Sequence, residues 1–410
     1  VARADTPFVR RSAVASTRDT VLSFHRSPHP CAGGKDFRRV PAGTIMSSML
    51  VRFLKDLAAA LRPMDESECL RLAGELVGRS RHEEAIGMLN RLLRSKPDSV
   101  DGLALRAGIM CETGRLEQAA GDLLRAVTLA PTHPLCLYEL ALVSYLQGDK
   151  QLALQYCARA RQAQPGHLQA CALQAQIHLD GEHYYDVLKR ILGYVKPRTY
   201  VEIGVAQGNS LGLVGPATRA IGIDPEPLVT EQPAGNVKVF TLTSDAFFAR
   251  HDLHAELGGL PVDLAFIDGM HHFEYALRDF ANLERYCARD STILIHDCYP
   301  LDQETAERDR RHTFWSGDIW RLIVLLKKYR PDLAVHTIGA PPTGLGVVRN
   351  LDPGSRFLVE HYDRLRAEFQ SLDYSYLEGD KRGKLNVVPS EWGRVSMLLS
   401  ATRPLEPASG

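Results

Sequence analysis

Hydrophobic positions follow two different patterns along the chain. Between about Glu66 and Gly166 they recur at helical spacing, and the pattern itself repeats. Pro97, Pro131 and Pro165 stand 34 residues apart, as do Ala85, Ala119 and Ala153, then Ala73, Ala107 and Ala141, with Leu89, Leu123 and Cys157 in the same register. Gly114 and Gly148 break the chain midway through their copies, and Ser80 takes that place in the first copy. Each copy predicts two antiparallel helices. Small residues at paired sites let the helices approach closely, apolar residues at 3.6 spacing fill the gap, and proline ends the second helix. A half-copy, HLQACALQAQIHLDG, follows the third. Such an array needs capped ends. The amphipathic stretch 46–61 (MSSMLVRFLKDLAAAL) predicts one cap, and DVLKRILGYV (186–195) predicts the other.

After Lys196-Pro197 the pattern changes to short apolar runs separated by turns and helices. The runs predict strands at 199–205, 220–224, 237–243, 262–268, 291–297, 333–339 and 344–350. Helices are predicted from Asn209 (interrupted at Pro216), in FEYALRDFANLERYC and in SGDIWRLIVLLKKY. Strands alternating with helices predict an α/β, doubly wound parallel sheet. Only APPT joins the last two runs, so the sheet closes with an antiparallel hairpin. The resulting layout is an N-terminal extension (1–45), disordered or from a mis-called start; a helical repeat domain with its caps (46–195); a seven-stranded α/β domain (196–350); and a C-terminal helix and tail (351–410).

The 34-residue period, with its small residues and closing proline, resembles the tetratricopeptide repeat over three copies and a half. The resemblance implies an all-α solenoid offering a surface to a protein partner, or serving as a spacer or dimerisation module. It leaves homo-oligomer formation open.

Composition narrows the setting. Lys plus Arg and Asp plus Glu number 49 each, which gives no general attraction to nucleic acid or to an anionic membrane. No nucleic-acid partner is expected. No apolar run approaches the length of a membrane span. None of the eight cysteines forms a C-x-x-C pair, so reduced, buried thiols in a cytoplasmic protein are expected. Residues 1–45 carry seven Arg and one Lys against three Asp, with no hydrophobic period. A transit peptide is the alternative reading of that segment.

The candidate chemistry sits at the carboxyl ends of the predicted strands. Glu202-Ile-Gly204-Val-Ala-Gln-Gly208 is an acidic, glycine-rich strand-to-helix turn. Ala206 occupies the second glycine of the dinucleotide pattern G-x-G-x-x-G, so that pattern is absent. Asp224 ends the next strand, where an acid can accept both ribose hydroxyls. Asp268 and Asp297 end the fourth and fifth strands. Neighbouring strands of such a sheet lie about 5 Å apart, and two close carboxylates repel unless a cation or proton lies between them. A hard divalent cation such as Mg²⁺ suits them.

The acid–x–Gly–x–x–x–Gly turn and the closing hairpin resemble class I S-adenosylmethionine-dependent methyltransferases. The segments FIDGMHHFEYALRDF, IHDCYP, GDIWRLI and PPTGLGVV resemble, within that class, the family called Methyltransf_24, over roughly residues 199–350. Its members include macrolide sugar O-methyltransferases and cephalosporin-hydroxylase-like proteins. The resemblance implies S-adenosylmethionine held by Glu202, Gly204, Gly208, Asp224, Ser244, Asp245 and Asp268. It implies a divalent metal on Asp268, His296 and Asp297, with His296 where the family usually has an acid. Imidazole there suits Mn²⁺, Fe²⁺ or Zn²⁺ better than Mg²⁺, or His296 faces away. His271 is implied as the general base that takes a proton from the acceptor, a hydroxylated small molecule or glycan. Two other readings keep the same residues: a repeat scaffold whose methyltransferase-like domain is not catalytic, and a hydroxylase-like relative.

Overall fold

The structure is a computed structural model that describes residues 65–229 and 235–400. The expected extension 1–45 and cap helix 46–61 lie outside the described residues. The chain divides into two compact units between Ala163 and Gln164.

The first unit is a run of antiparallel helix pairs: α1 (Glu66–Gly78) with α2 (His82–Ser95), α3 (Val100–Glu112) with α4 (Leu116–Leu129), and α5 (Pro134–Leu146) with α6 (Lys150–Ala163). The alanines, leucines and cysteine of the 34-residue register are fully buried, from Ala73, Ala85 and Leu89 through Ala141, Ala153 and Cys157. The period also extends to the helix starts. Asp65, Ser99, His133 and His167 are 34 apart. Each side chain accepts a hydrogen bond from the backbone N–H three residues on, at Glu68, Gly102, Cys136 and Ala170. An N-cap side chain satisfies an amide that the helix leaves unpaired.

The second unit begins with α7 (Leu168–Leu179) and α8 (Tyr184–Val195), followed by one eight-stranded sheet. Its strands are β1 (Thr199–Ile203), β2 (Arg219–Asp224), β3 (Val237–Thr241), β4 (Val262–Ile267), β5 (Cys287–His296), β6 (Ala334–Ile338), β7 (Leu345–Arg349) and β8 (Val387–Val388). The spatial order is β3-β2-β1-β4-β5-β7-β6-β8. β1 to β5 run parallel, and β7 lies antiparallel between β5 and β6, as the short APPT turn requires. β8 is an edge strand that the sequence reading left in a polar tail. Two apolar residues, Val387 and Val388, are too few to signal it.

Side chains alternate across the sheet. Val201, Ile203, Ala265, Ile267, Ile293 and Ile295 pack with α11 (Phe273–Glu284), α12 (Trp320–Tyr329) and α14 (Tyr362–Gln370). These labels follow α9 (Ser244–Arg250) and α10 (Leu253–Glu256), with α13 at Phe357–Glu360. Tyr200, Leu264, Phe266 and Leu294 point the other way, against Val187, Leu188, Ile191 and Leu192 of α8. After α15 (Lys381–Lys384), α16 (Trp392–Ser400) adds Val395, Leu398 and Leu399 to the same cluster. The predicted helix from Asn209 is not formed. β1 and β2 are joined by a 3-10 turn, Leu211–Leu213, because Gly212, Gly215 and Pro216 disfavour an α-helix.

Gly114 and Gly148 hold φ of +77° and +91°, and Ser80, their counterpart, holds +58°. An L-residue there costs about 1–2 kcal/mol, and the gain on replacement by Gly is offset by the looser unfolded chain. Ser80→Gly is expected to stabilise the repeats by about 1 kcal/mol, and Gly148→Ala to destabilise them similarly. Urea unfolding followed by circular dichroism reads both; a Ser80→Gly variant less stable than the parent contradicts the account.

Candidate functional site

The site forms where β1, β4 and β5 end. β1 lies beside both β2 and β4, so the chain direction away from it reverses there. That is the switch point at which open α/β sheets bind ligands. Register sets the neighbours. Ile203 pairs with Ile267, and Ile267 with Ile295. Asp268 and His296 therefore leave adjacent strands side by side, and His296 Nδ1 lies 3.0 Å from Asp268 Oδ1.

Asp297 follows one residue later. Continued extension would carry it to the opposite face from His296. Instead its φ is +60°, and its Oδ2 lies 3.3 Å from His296 Nδ1 and 3.0 Å from His271 Nδ1. His271 is itself left-handed, at +52°, and Ala206 in the glycine-rich turn at +44°. Non-glycine residues held in this region cost energy that the surroundings must supply, and such residues cluster at functional sites. Around His271 the support is visible. Its carbonyl accepts from Asp318 N at 3.2 Å, and Asp318 Oδ1 accepts from Phe273 N at 2.6 Å. Asp318 is fully buried and paired with Arg308 and Arg321. Gly317, at φ +61°, presses so close that a Cβ would overlap the His271 carbonyl.

One nitrogen or carboxylate oxygen from each of Asp268, His271 and Asp297 lies within 4.8 Å of the others. Although His271 Nδ1 and Asp297 Oδ2 are 3.0 Å apart, their alignment makes no hydrogen bond, and both buried atoms lack a hydrogen-bond partner. Two ligands at about 2.1 Å from a cation and about 90° apart are separated by about 3.0 Å. The donor set and its unpaired atoms thus fit a divalent cation. Charge points the same way. Burial would raise both aspartates, but the imidazoles of His271 and His296 hold Asp297 below the usual range, and His296 and His271 do so for Asp268. Burial would lower His271, but the carboxylates, Asp297 foremost, raise it to about 10. In the protein alone, imidazolium charge fills the place between the carboxylates.

The residues expected to face the cofactor divide by what holds them. Glu202 is fully buried, with its two oxygens accepting from Ser210 Oγ and Tyr200 Oη, both at 2.6 Å. It thereby fixes the far end of the glycine-rich turn. Asp224 Oδ2 accepts from the Val205 and Ala206 amides at 2.8 and 2.9 Å, and Oδ1 from Glu226 N at 2.8 Å. Gly204 (φ +90°) and Gly208 (φ +76°) need their glycine, and a Cβ on Gly204 would strike the Asp268 carbonyl. That close approach joins the turn to the end of β4. Ser244 and Asp245 open α9; Asp245 pairs with Arg278 at 2.7 Å, and Ser244 hydrogen-bonds Asp279.

Sequence reasoning missed several residues. Ser210 and Tyr200 were legible in principle, Tyr200 because i and i+2 share a strand face. Tyr184 stacks on His296 at 4.0 Å between ring centroids, Thr343 Oγ1 lies 3.3 Å from His296 Nε2, and Trp315 stacks on His271 at 5.1 Å and 14°. No local pattern marks these. Trp315 sits in the segment between β5 and α12, whose Leu301 and Phe314 pack on Cys171 and Ala175 of α7. His272 caps α11 and its Nε2 lies 3.0 Å from the Arg308 carbonyl. All seven described cysteines are free.

Burial raises Glu202 to about 8 from an ordinary 4.5, its hydrogen bonds opposing the shift. A folded-state value above the unfolded one adds stability that is fully present below about 4.5 and is lost as pH rises through about 8. The parent is therefore expected to lose more stability between pH 5 and 8 than Glu202→Gln, in chemical denaturation at a series of pH values. Parallel stability curves for the two proteins would contradict this.

Comparison with known proteins agrees with this architecture. Residues 201–298 match the profile of Methyltransf_24, a methyltransferase domain. Residues 70–134 and 112–167 match a tetratricopeptide repeat. No curated protein matches the chain. Similar solved structures include MamA (17% identity, 34% of this chain and 85% of that one, TM-score 0.28). Two others are cofactor-bound Rv0187 from MTB (19%, 44% and 88%, TM-score 0.33) and the O-methyltransferase TomG from Streptomyces achromogenes, in complex with SAM (16%, 44% and 88%, TM-score 0.33). The chain thus joins segments that match a tetratricopeptide repeat to a domain that matches the Methyltransf_24 methyltransferase profile.

Proposed function

We propose that the second unit is a metal-assisted O-methyltransferase acting on a hydroxylated small molecule or glycan. The observation that carries this is the convergence of Asp268, Asp297 and His271 beside the glycine-rich turn. When bound, S-adenosylmethionine supplies an electrophilic methyl group and a divalent cation makes an acceptor hydroxyl more acidic.

The chain's own groups do the rest. Gly204 to Gly208, Asp224, Ser244 and Asp245 hold the methyl donor at the strand ends, with Glu202 fixing the turn from beneath. Asp268, His296 and Asp297 would hold the cation, which leaves His271 free to act as the base. His271 takes the acceptor's proton at a ring nitrogen; Trp315 against its ring, and Asp318 against its backbone, keep it in place. A general base so positioned contributes about 10²–10⁴-fold. The repeats of the first unit supply a surface for a protein partner. Among the described residues no helix is long and apolar enough to cross a membrane.

Calorimetric titration of the full chain with S-adenosylmethionine, with and without Mn²⁺, is expected to show binding, and Asp297→Asn to lose the Mn²⁺ signal. Absence of S-adenosylmethionine binding in both conditions sinks the proposal. With an acceptor found by screening hydroxylated compounds for methyl transfer, His271→Ala is expected to lower kcat by about 10²–10⁴ while leaving donor affinity within a few-fold. Unchanged turnover would remove His271 from proton transfer.

A further inference from the structure

One buried acid near the strand ends has no part in that scheme. Asp279, on α11, is 3% exposed, and its Oδ1 has no hydrogen-bond partner. The Ser244 hydroxyl beside the carboxylate opposes the effect of burial on it. A buried carboxylate oxygen without a partner is costly, and native structures rarely keep one without a use.

Two other buried atoms share this condition, His271 Nδ1 and Asp297 Oδ2. All three residues line one partly open cavity of about 10 Å³, together with Asp268, His296 and apolar residues that include Ile267, Ile295 and Ile319. On that measure one water needs about 10–15 Å³. The cavity joins the Asp279 carboxylate to the polar side chains of Asp268, His271, His296 and Asp297. Asp279 does not belong to the group of Asp268, His271 and Asp297, whose atoms lie within 4.8 Å of one another. It lines the same cavity as that group.

We propose that Asp279 is a positioning residue of the cation centre, its Oδ1 accepting a hydrogen bond from a water ligand of the cation held by Asp268 and Asp297. The inference rests on the cation reading given above. Mg²⁺ and similar hard cations keep several water ligands. Groups that orient such ligands from behind govern affinity nearly as strongly as the ligands themselves. Asp279 also holds Ser244 at the start of α9, so a single side chain ties the cation centre to the segment assigned to the methyl donor.

Mn²⁺ calorimetry on the full chain tests this, comparing the parent with Asp279→Ala, Asp279→Leu, Asp279→Asn and Ser244→Ala, each also melted in chelator. Ala and Leu are expected to weaken Mn²⁺ binding about 10–100-fold, while their melting temperatures without metal stay close to the parent's. Asn keeps an acceptor oxygen and retains most of the affinity. Ser244→Ala leaves Mn²⁺ binding unchanged. Parental affinity in both Ala and Leu overturns the proposal, and the Ala variant decides if Leu does not fold. Ser244→Ala matching the loss in Ala overturns it too, because Asp279 would then act only through Ser244. A parent that binds no Mn²⁺ overturns the cation reading itself, an outcome distinct from a parent that binds and Asp279 variants that bind equally well.

Discussion

Two carboxylates that close a sheet at neighbouring strand ends must share positive charge, and the second unit is organised around that constraint. Asp268 and Asp297 stand at the ends of β4 and β5, largely out of water. Separately, each would shift toward its neutral form; together they repel. His271 and His296 supply the compensating charge in the protein alone. Most of what surrounds them serves to hold four polar groups at one point. Tyr184 and Thr343 flank His296, Trp315 flanks His271, and Asp318 with its two arginines anchors the His271 backbone.

The backbone bears part of the cost. His271, Asp297 and Ala206 all adopt left-handed conformations that non-glycine residues avoid. Each redirects a chain at the point where it leaves a strand. Without the turn at Asp297, strand alternation would send its carboxylate away from His296, and the centre would not assemble. The dense packing behind it, Ile203, Ile267 and Ile295 on one face and Phe266 and Leu294 on the other, keeps these turns from relaxing.

Much of the fold could be read from the sequence because its signals are periodic. The 34-residue register named the buried positions of the repeats one by one, and the closing hairpin followed from a four-residue turn. Non-periodic parts were read less well. The helix expected after Asn209 failed because glycine and proline outweigh the apolar letters between them, and its side of the sheet is covered by α8 and α16 from distant parts of the chain. β8 was invisible because two valines carry no period.

The candidate site divides along the same line. Sequence alone determined which acids end which strands, since strand patterns are local and the turn Glu202 to Gly208 is contiguous. The resemblance to Methyltransf_24 pointed to His271 and His296, which stand beside those acids in the sequence. Only the tertiary structure decided which side chains meet. It set Asp268 against His296 through the β4–β5 register, and turned Asp297 through a left-handed residue. It brought Tyr184, Trp315 and Asp279 to the same end of the sheet from three different helices or loops. The reason is physical: local pattern fixes the conformation a segment prefers, whereas contacts between segments depend on how sheet twist, register and packing bring distant residues together.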